Sequence, residues 1–347
     1  PPPPPPPPLN PPPPPPPHHT LFESSAASDV YKRQLPQDEI LKVERMLTAR
    51  LGRTGILAVL LAGGLFLTAC DKSANPANEA DKAAGRENVE AMSREHAEDT
   101  TEPSPAAEIA PARDVISDPR MPYTESGDEL VYGYFAAPSD VAEPLPALIV
   151  IHEWWGLNDN VRAMADRLAG EGYMVLAVDL YGGKTADTPG AARELMLQVV
   201  EEPEMAKANI RAAYEFLSVA GAPRIGSLGW CFGGGWSLAA AQMFPDDLDA
   251  SVIYYGQVTG DEEKLRPINA PILGLFAADD AGIKLESVEA FRDALERLRK
   301  EHEIHIYPDV DHAFANPTGK NYNADAATDA WAKTLDFLGR HLSDESS

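Results

Sequence analysis

Two cysteines in 347 residues are too few for a disulfide framework, so a packed core rather than covalent staples must hold the chain. Basic residues are also scarce. Twenty-nine lysines and arginines face 54 aspartates and glutamates, leaving a net charge of −25. That balance argues against a nucleic-acid partner and against a polybasic membrane attachment, both of which need an electropositive surface. No internal repeat is visible. Gly55 to Phe66 is uncharged and mostly apolar but too short to span a bilayer comfortably. Metal and nucleotide motifs are missing as well. His152-Glu153 lacks the second histidine of a zinc-binding H-E-x-x-H, because position 156 is glycine. Gly182-Gly183-Lys184-Thr185 ends like a phosphate loop, but the first glycine would fall on Val178. Gly233-Gly234-Gly235 does not have the spacing of a dinucleotide fingerprint. No metal and no cofactor is therefore expected.

What is present changes character along the chain. Residues 1–45 hold two polyproline runs and no apolar periodicity. Proline donates no backbone hydrogen bond, so this stretch is expected to lie outside any domain, as an extended arm or as translation upstream of Met46. Residues 46–70 have the layout of an export signal: Arg50 and Arg53, then the apolar stretch to Phe66, then Leu67-Thr68-Ala69-Cys70. This last run resembles the lipobox of bacterial lipoproteins. The resemblance implies a lipidated Cys70, a cell-envelope location and a lipid anchor as the only membrane contact. Asp71 next to it implies the periplasmic face of the inner membrane. Cys231 then has no disulfide partner, and an unpaired thiol in an oxidising compartment must be buried or used. Residues 71–114, rich in Ala, Glu, Asp, Asn and Pro, read as an acidic, disordered tether.

From 115 to 343 short apolar runs alternate with amphipathic stretches. Residues 147–151, 174–178, 225–228, 252–255, 272–276 and 304–307 read as strands, and the near-continuous apolar character of the clearest implies burial on both faces. Residues 161–170, 204–219, 237–244, 285–302 and 324–342 read as helices, with an extra antiparallel strand over 130–136. The expected fold is one α/β domain, a mostly parallel doubly wound sheet flanked by helices. No cap-forming insertion is evident, and residues 185–203 are the best candidate for a pocket wall.

Gly229-Trp230-Cys231-Phe232-Gly233 sits where a strand ends and a helix opens. A nucleophile on such a turn needs small residues two positions before and after it, and the two glycines supply them. The turn puts Cys231 at a helix N-terminus, where the dipole favours thiolate, and makes the Phe232 amide an oxyanion donor. A buried structural cysteine in a glycine-rich turn is the plainer alternative. Downstream, Asp279 and Asp280 lie on a loop after one strand, and His312 lies on a loop after the last. Nucleophile, acid and base thus follow in the order used by α/β-hydrolases. Trp154, after the first strong strand, is placed to supply the second oxyanion amide. Glu153 beside it could hold the thiol or a proton. For Trp154 and Trp155, packing beneath the site and substrate contact are equally open.

His152-Glu153-Trp154-Trp155-Gly156-Leu157-Asn158, Asp179-Leu180-Tyr181-Gly182, Gly229-Trp230-Cys231-Phe232-Gly233-Gly234, Asp280-Ala281-Gly282-Ile283 and Tyr307-Pro308 through His312-Ala313-Phe314 together resemble the dienelactone hydrolase family over about residues 115–343. The resemblance implies an α/β-hydrolase fold and a Cys231–His312–Asp280 triad, with Asp280 rather than Asp279 as the acid. It places Glu153 against the resting cysteine and implies a small ester or lactone as substrate, cleaved through an acyl-thioester. Trp155, Tyr181, Lys184, Phe314 and Asn316 become candidate substrate contacts. The chain departs from the family where dienelactone-cleaving members carry arginines for the substrate carboxylate: Gly182-Gly183-Lys184 stand at one such place and Asn316 at the other. A lysine is a point charge and cannot reproduce a bidentate guanidinium grip. Two other readings remain at this point, a non-catalytic envelope binding lipoprotein that keeps the fold and a thiol redox sensor without a resolving cysteine. Sequence does not fix the oligomeric state.

Overall fold

The computed structural model describes residues 76–97, 109–126, 129–140 and 144–343; the proline-rich segment and the expected export signal with its Cys70 lie outside them. Eight strands form one sheet in the order β1-β2-β4-β3-β5-β6-β7-β8. They are β1 Val115–Ser126, β2 Glu129–Pro138, β3 Ala147–Ile151, β4 Met174–Val178, β5 Ile225–Trp230, β6 Ala250–Tyr254, β7 Ile272–Ala277 and β8 His302–Tyr307. β1 and β2 pair antiparallel and β2 runs antiparallel to β4. Every pair from β4 across to β8 is parallel. The chain passes from β3 to β4 on one side and returns to β5 on the other, which opens a crevice at the carboxyl ends of β3 and β5.

Side-chain alternation divides the core. Along β3, Leu148 and Val150 face one apolar cluster while Ala147, Ile149 and Ile151 face the other, and all five are buried. On the first face lie helices α1 Pro76–Glu95, α2 Asp159–Gly170, α3 Pro189–Glu201 and α8 Ala324–Leu342. On the second lie α4 Pro203–Val219, α5 Phe232–Met243 and α7 Leu285–Leu298, with the short α6 Glu262–Leu265 nearby in sequence. The ends are set by local chemistry. Asn158 Oδ1 accepts from the Val161 amide at 3.1 Å to start α2, and Asn323 caps α8 through the Ala326 amide at 3.0 Å.

The structure departs from the sequence expectation at the edge strand β1, Val115–Ser126, and the short α6, Glu262–Leu265, neither of which was expected, and in two longer segments. Residues 185–203 carry α3, begun by Thr188 and Pro189. The solvated tether expected over 71–114 is, over Pro76–Glu95, the helix α1. Its alanines, glutamates and basic residues are good helix formers, with Glu79 in the first turn and Arg94 in the last. Val89, Met92 and His96 fall at i, i+3 and i+7 and are buried. Gly85 lies so close to α3 that a Cβ there would come within 2.7 Å of Val200. Only two large apolar side chains occupy this stripe, too weak a period to stand out from an acidic linker.

At the crevice, backbone crosses backbone. A Cβ on Gly229 would lie 2.1 Å from the Gly233 carbonyl oxygen, and one on Gly233 would lie 2.2 Å from that of Ile151. Gly229→Ala is therefore expected to destabilise the fold by about 1–3 kcal/mol or more through overpacking, read as a lower denaturant midpoint. Gly190→Ala, in open space on α3, is expected to change stability by no more than about 1 kcal/mol, in the stabilising direction. Equal midpoints for the two variants would contradict the close approach.

Candidate active site

Cys231 joins β5 to α5 with φ 56 and ψ −118, a backbone region that non-glycine residues enter only when their surroundings force them. Its amide donates to the Tyr254 carbonyl at 3.0 Å, and its own carbonyl accepts from Gly234 at 3.0 Å and Gly235 at 3.3 Å. Positive φ recurs at Tyr255, just after β6, and at Asp309 and Ala313 in the loop after β8. Strained backbone thus gathers at the carboxyl ends of the strands that carry the candidate residues.

His312 and Asp280 meet as the sequence predicts. Asp280 Oδ2 lies 2.6 Å from His312 Nδ1, and Oδ1 accepts from the Gly282 and Ile283 amides at 2.9 and 2.7 Å. With its two oxygens so engaged, the carboxylate is fixed against the ring and leaves Nε2 for chemistry. A ring nitrogen of His312 and the Cys231 sulfur lie within 4.8 Å of each other. Asn321 Nδ2 donates to the His312 carbonyl at 3.1 Å and steadies the loop. Asp279 is tied by its backbone to Val310 and takes no part in this pair.

Burial governs the protonation states. It pushes the Cys231 thiol above its ordinary range, and the Glu153 carboxylate adds to the effect against the opposing pull of His312 and the Phe232 amide. The helix dipole, expected to favour thiolate, does not prevail over desolvation. At His312 burial disfavours the imidazolium, yet the Asp280 carboxylate beside it acts in the other direction and the pKa stands well above the usual value.

Glu153 follows β3 and is 4 % exposed. Asn316 Nδ2 donates to its Oε2 at 2.6 Å and the Tyr255 hydroxyl to its Oε1 at 3.4 Å. Asn316 Oδ1 in turn accepts from the Thr318 amide at 2.9 Å and hydroxyl at 2.7 Å. Asn316, a candidate substrate contact by sequence, is thus occupied in holding Glu153. His152 has a defined tautomer: Nε2 accepts from the Leu180 amide at 3.1 Å, so Nδ1 donates to the Glu153 carbonyl at 2.6 Å. Burial lowers its pKa and keeps it neutral. It ties the loop carrying Glu153 and Trp154 to the end of β4, and the Tyr181 hydroxyl adds a bond to the Trp154 carbonyl at 3.1 Å.

Of the other candidates, Trp155 is buried against Trp154 and Phe314 against Tyr255 and Tyr307. Tyr181 lies between the His152 and Phe232 rings. These are packing roles in this state. Lys184 is exposed. A cavity of about 10 Å³ adjoins Glu153, Trp230, Tyr255 and Asn316, which is room for roughly one water.

Sequence reasoning missed two residues here, both from the end of α1. The His96 ring lies 5.1 Å from those of Trp154 and His312. Glu95 sits with Asp280 and His312, with one polar atom of each within 4.8 Å. Burial raises its pKa to about 7, opposed by His312 and reinforced by Asp280. The signal was the spacing of Val89, Met92 and His96. Exposed ion pairs flank the contact: Arg86 with Glu201 at 2.5 Å, Arg193 with Glu90, and Lys264 with Asp81 at 2.6 Å. Such pairs give at most about 1 kcal/mol each, against roughly 1.5–3 for each buried Val89 or Met92 side chain. Apolar burial docks α1, by only a few kcal/mol.

The model of the dienelactone hydrolase family matches residues 131–342, which include every site residue above except Glu95 and His96. A protein of Saccharolobus solfataricus named as a proposed carboxymethylenebutenolidase is 32% identical over 256 residues, covering 63% of this chain and 97% of the relative. An Escherichia coli protein of the same name is 33% identical over 222 residues, covering 60% of this chain and 82% of the relative. Among solved structures, a proposed dienelactone hydrolase from Klebsiella pneumoniae superposes with a TM-score of 0.59 at 28% identity, over 66% of this chain and 100% of the other.

Cys231 is 4 % exposed and His312 fully buried, with α1 part of the cover. Val89→Asp should undock α1 and speed alkylation of Cys231 by iodoacetamide roughly tenfold or more, since about 1.4 kcal/mol of lost docking multiplies the open population tenfold. The rate is read by mass spectrometry of the Cys231 peptide. An unchanged rate would mean that another segment governs access.

Proposed function

Because the chain belongs to the dienelactone hydrolase family, we propose that this hydrolase cleaves carboxylic esters or lactones through Cys231, His312 and Asp280 by way of an acyl-thioester. The observation that carries the reading is the 2.6 Å His312–Asp280 contact set within reach of a cysteine on a strained strand-to-helix turn. His312 takes the thiol proton as the sulfur attacks the carbonyl carbon. The oxyanion that forms is received by the Phe232 and Trp154 amides. Collapse expels the alcohol oxygen, which takes the proton back from His312. Water then attacks the thioester, again deprotonated by His312, and releases the acid and the thiol.

The raised thiol pKa gives the resting enzyme a protonated sulfur. Such a cysteine resists adventitious oxidation, and attack is timed to the arrival of substrate. Asn316, standing where dienelactone-cleaving members carry an arginine, holds Glu153 instead. This supports a substrate gripped by shape and by the oxyanion amides rather than by a guanidinium on its carboxylate. We also propose that Cys70 carries lipid and tethers the enzyme in the cell envelope, on the strength of the Leu67-Thr68-Ala69-Cys70 run.

With p-nitrophenyl acetate and a panel of small lactones, Cys231→Ala and His312→Ala are expected to lose nearly all turnover. Equal rates in the two variants and the parent would sink the triad. His312 must be neutral to act as base, and its raised pKa keeps it protonated to higher pH, so the rate should climb as pH rises through that pKa. Asp280→Asn removes the carboxylate that raises it. The rising limb should therefore move to lower pH while the plateau falls by orders of magnitude, as expected when the orienting acid is lost. A limb that stays in place would separate Asp280 from His312. For the anchor, Cys70→Ala should shift the protein from the membrane to the soluble fraction, and unchanged fractionation would count against lipidation.

A further inference from the structure

We propose that the end of α1 completes a buried transition-metal site with the catalytic pair, in which His96, Cys231 and His312 bind one zinc-class cation and switch the hydrolase off. One donor atom from each residue lies within 4.8 Å of the other two, and the three residues are 2 %, 4 % and 0 % exposed. Zinc bonds of about 2.0–2.1 Å to nitrogen and 2.3 Å to sulfur place two nitrogens and one sulfur in tetrahedral positions roughly 3.3–3.6 Å apart. Shifts of about an ångström or less close the present triangle around an ion. One thiolate and two imidazoles form a donor set suited to Zn²⁺, Co²⁺ or Cu⁺ and not to Mg²⁺ or Ca²⁺.

Two further features point the same way. Asp280 bonded to His312 Nδ1 at 2.6 Å is the arrangement that orients a metal-binding imidazole and raises its basicity. The carboxylates of Asp280 and Glu95 cluster at His312, so the neighbourhood favours a cation. Binding displaces the thiol proton, and the His312 proton where present, to solvent. The ion then occupies both the nucleophilic sulfur and the basic nitrogen, so attack on an ester and metal binding exclude each other. Bound metal also pins α1, because His96 lies on the lid. The device belongs to this chain beyond the family match, which begins at residue 131.

The test uses the full chain carrying Cys70→Ser, so that Cys231 is the sole thiol. One equivalent of Co²⁺ should give a thiolate-to-cobalt charge-transfer band and intense tetrahedral d–d bands, both abolished by Zn²⁺. One equivalent of Zn²⁺ should stop p-nitrophenyl acetate hydrolysis, with recovery on chelation. His96→Ala should weaken Co²⁺ binding and Zn²⁺ inhibition at least tenfold. Met92→Asp, which undocks α1 with His96 intact, should do the same. Absence of the charge-transfer band in the parent overturns the site, and so does unchanged affinity in either variant. The cobalt spectrum does not depend on turnover, so failure of the hydrolase reading leaves this result interpretable, and the reverse holds as well.

Discussion

The site depends on the meeting of three backbones around Gly233. The carbonyl of Ile151 at the end of β3, the last turn of β5 at Gly229 and the first turn of α5 approach so closely that neither glycine has room for a Cβ. This contact holds Cys231 at positive φ and lifts its sulfur out of the sheet's edge. It also sets the loop after β3, carrying Glu153 and Trp154, beside the start of α5. The parallel order β3-β5-β6-β7-β8 then delivers Tyr255, Asp280 and His312 at successive strand ends. A sheet without that approach would still bury its apolar strands, but it would have no elbow.

Desolvation is the second constraint, and it acts against the helix dipole. A half-charge at a helix N-terminus contributes about 0.3–1 kcal/mol, up to ~2 when partly buried. Removing a thiolate from water costs more where few donors replace the water. Here the Glu153 carboxylate stands close enough to oppose a second negative charge. The sulfur therefore rests protonated, because the pull of His312 and the Phe232 amide does not offset burial, whereas at His312 the opposition to burial prevails. Asn316 completes the arrangement by satisfying Glu153 with a neutral amide. A guanidinium there would neutralise the carboxylate, relieve its pressure on the sulfur and present a positive group to substrate.

Much of this was legible in the sequence. Strands such as Ala147–Ile151 and Met174–Val178 announce themselves because burial on both faces demands an unbroken apolar run. Cys231, Asp280 and His312 were legible because turns at strand ends require distinctive residue types in a fixed order. The choice between Asp280 and Asp279 was not readable from spacing; it came from the family resemblance, and the structure places Asp280 on the ring. The role of Asn316 was hidden, since one amide in a loop reveals nothing of its partner 163 residues away. Helix α3 was missed because Thr188-Pro189-Gly190 reads as loop chemistry, although Thr at the cap and Pro at the first position also begin helices.

Helix α1 was hidden for an energetic reason as well as a compositional one. A helix held by two buried apolar side chains carries too short a stripe to reveal it. Val89 and Met92 together bury enough surface to dock α1 by a few kcal/mol, and the surrounding ion pairs are half exposed and add little. A stronger stripe would be easier to read and would dock α1 more firmly over Cys231. The described residues of 71–114 thus combine an acidic, linker-like composition with a helix whose end reaches His312. With α1 docked by so little apolar surface, the additional ligand bond proposed at His96 would decide how firmly it stays. Coordination at a structural zinc site is worth on the order of 10 kcal/mol in all, well beyond what two buried side chains supply. A lid held so lightly by apolar contact is therefore the kind on which a metal ion would have the larger say.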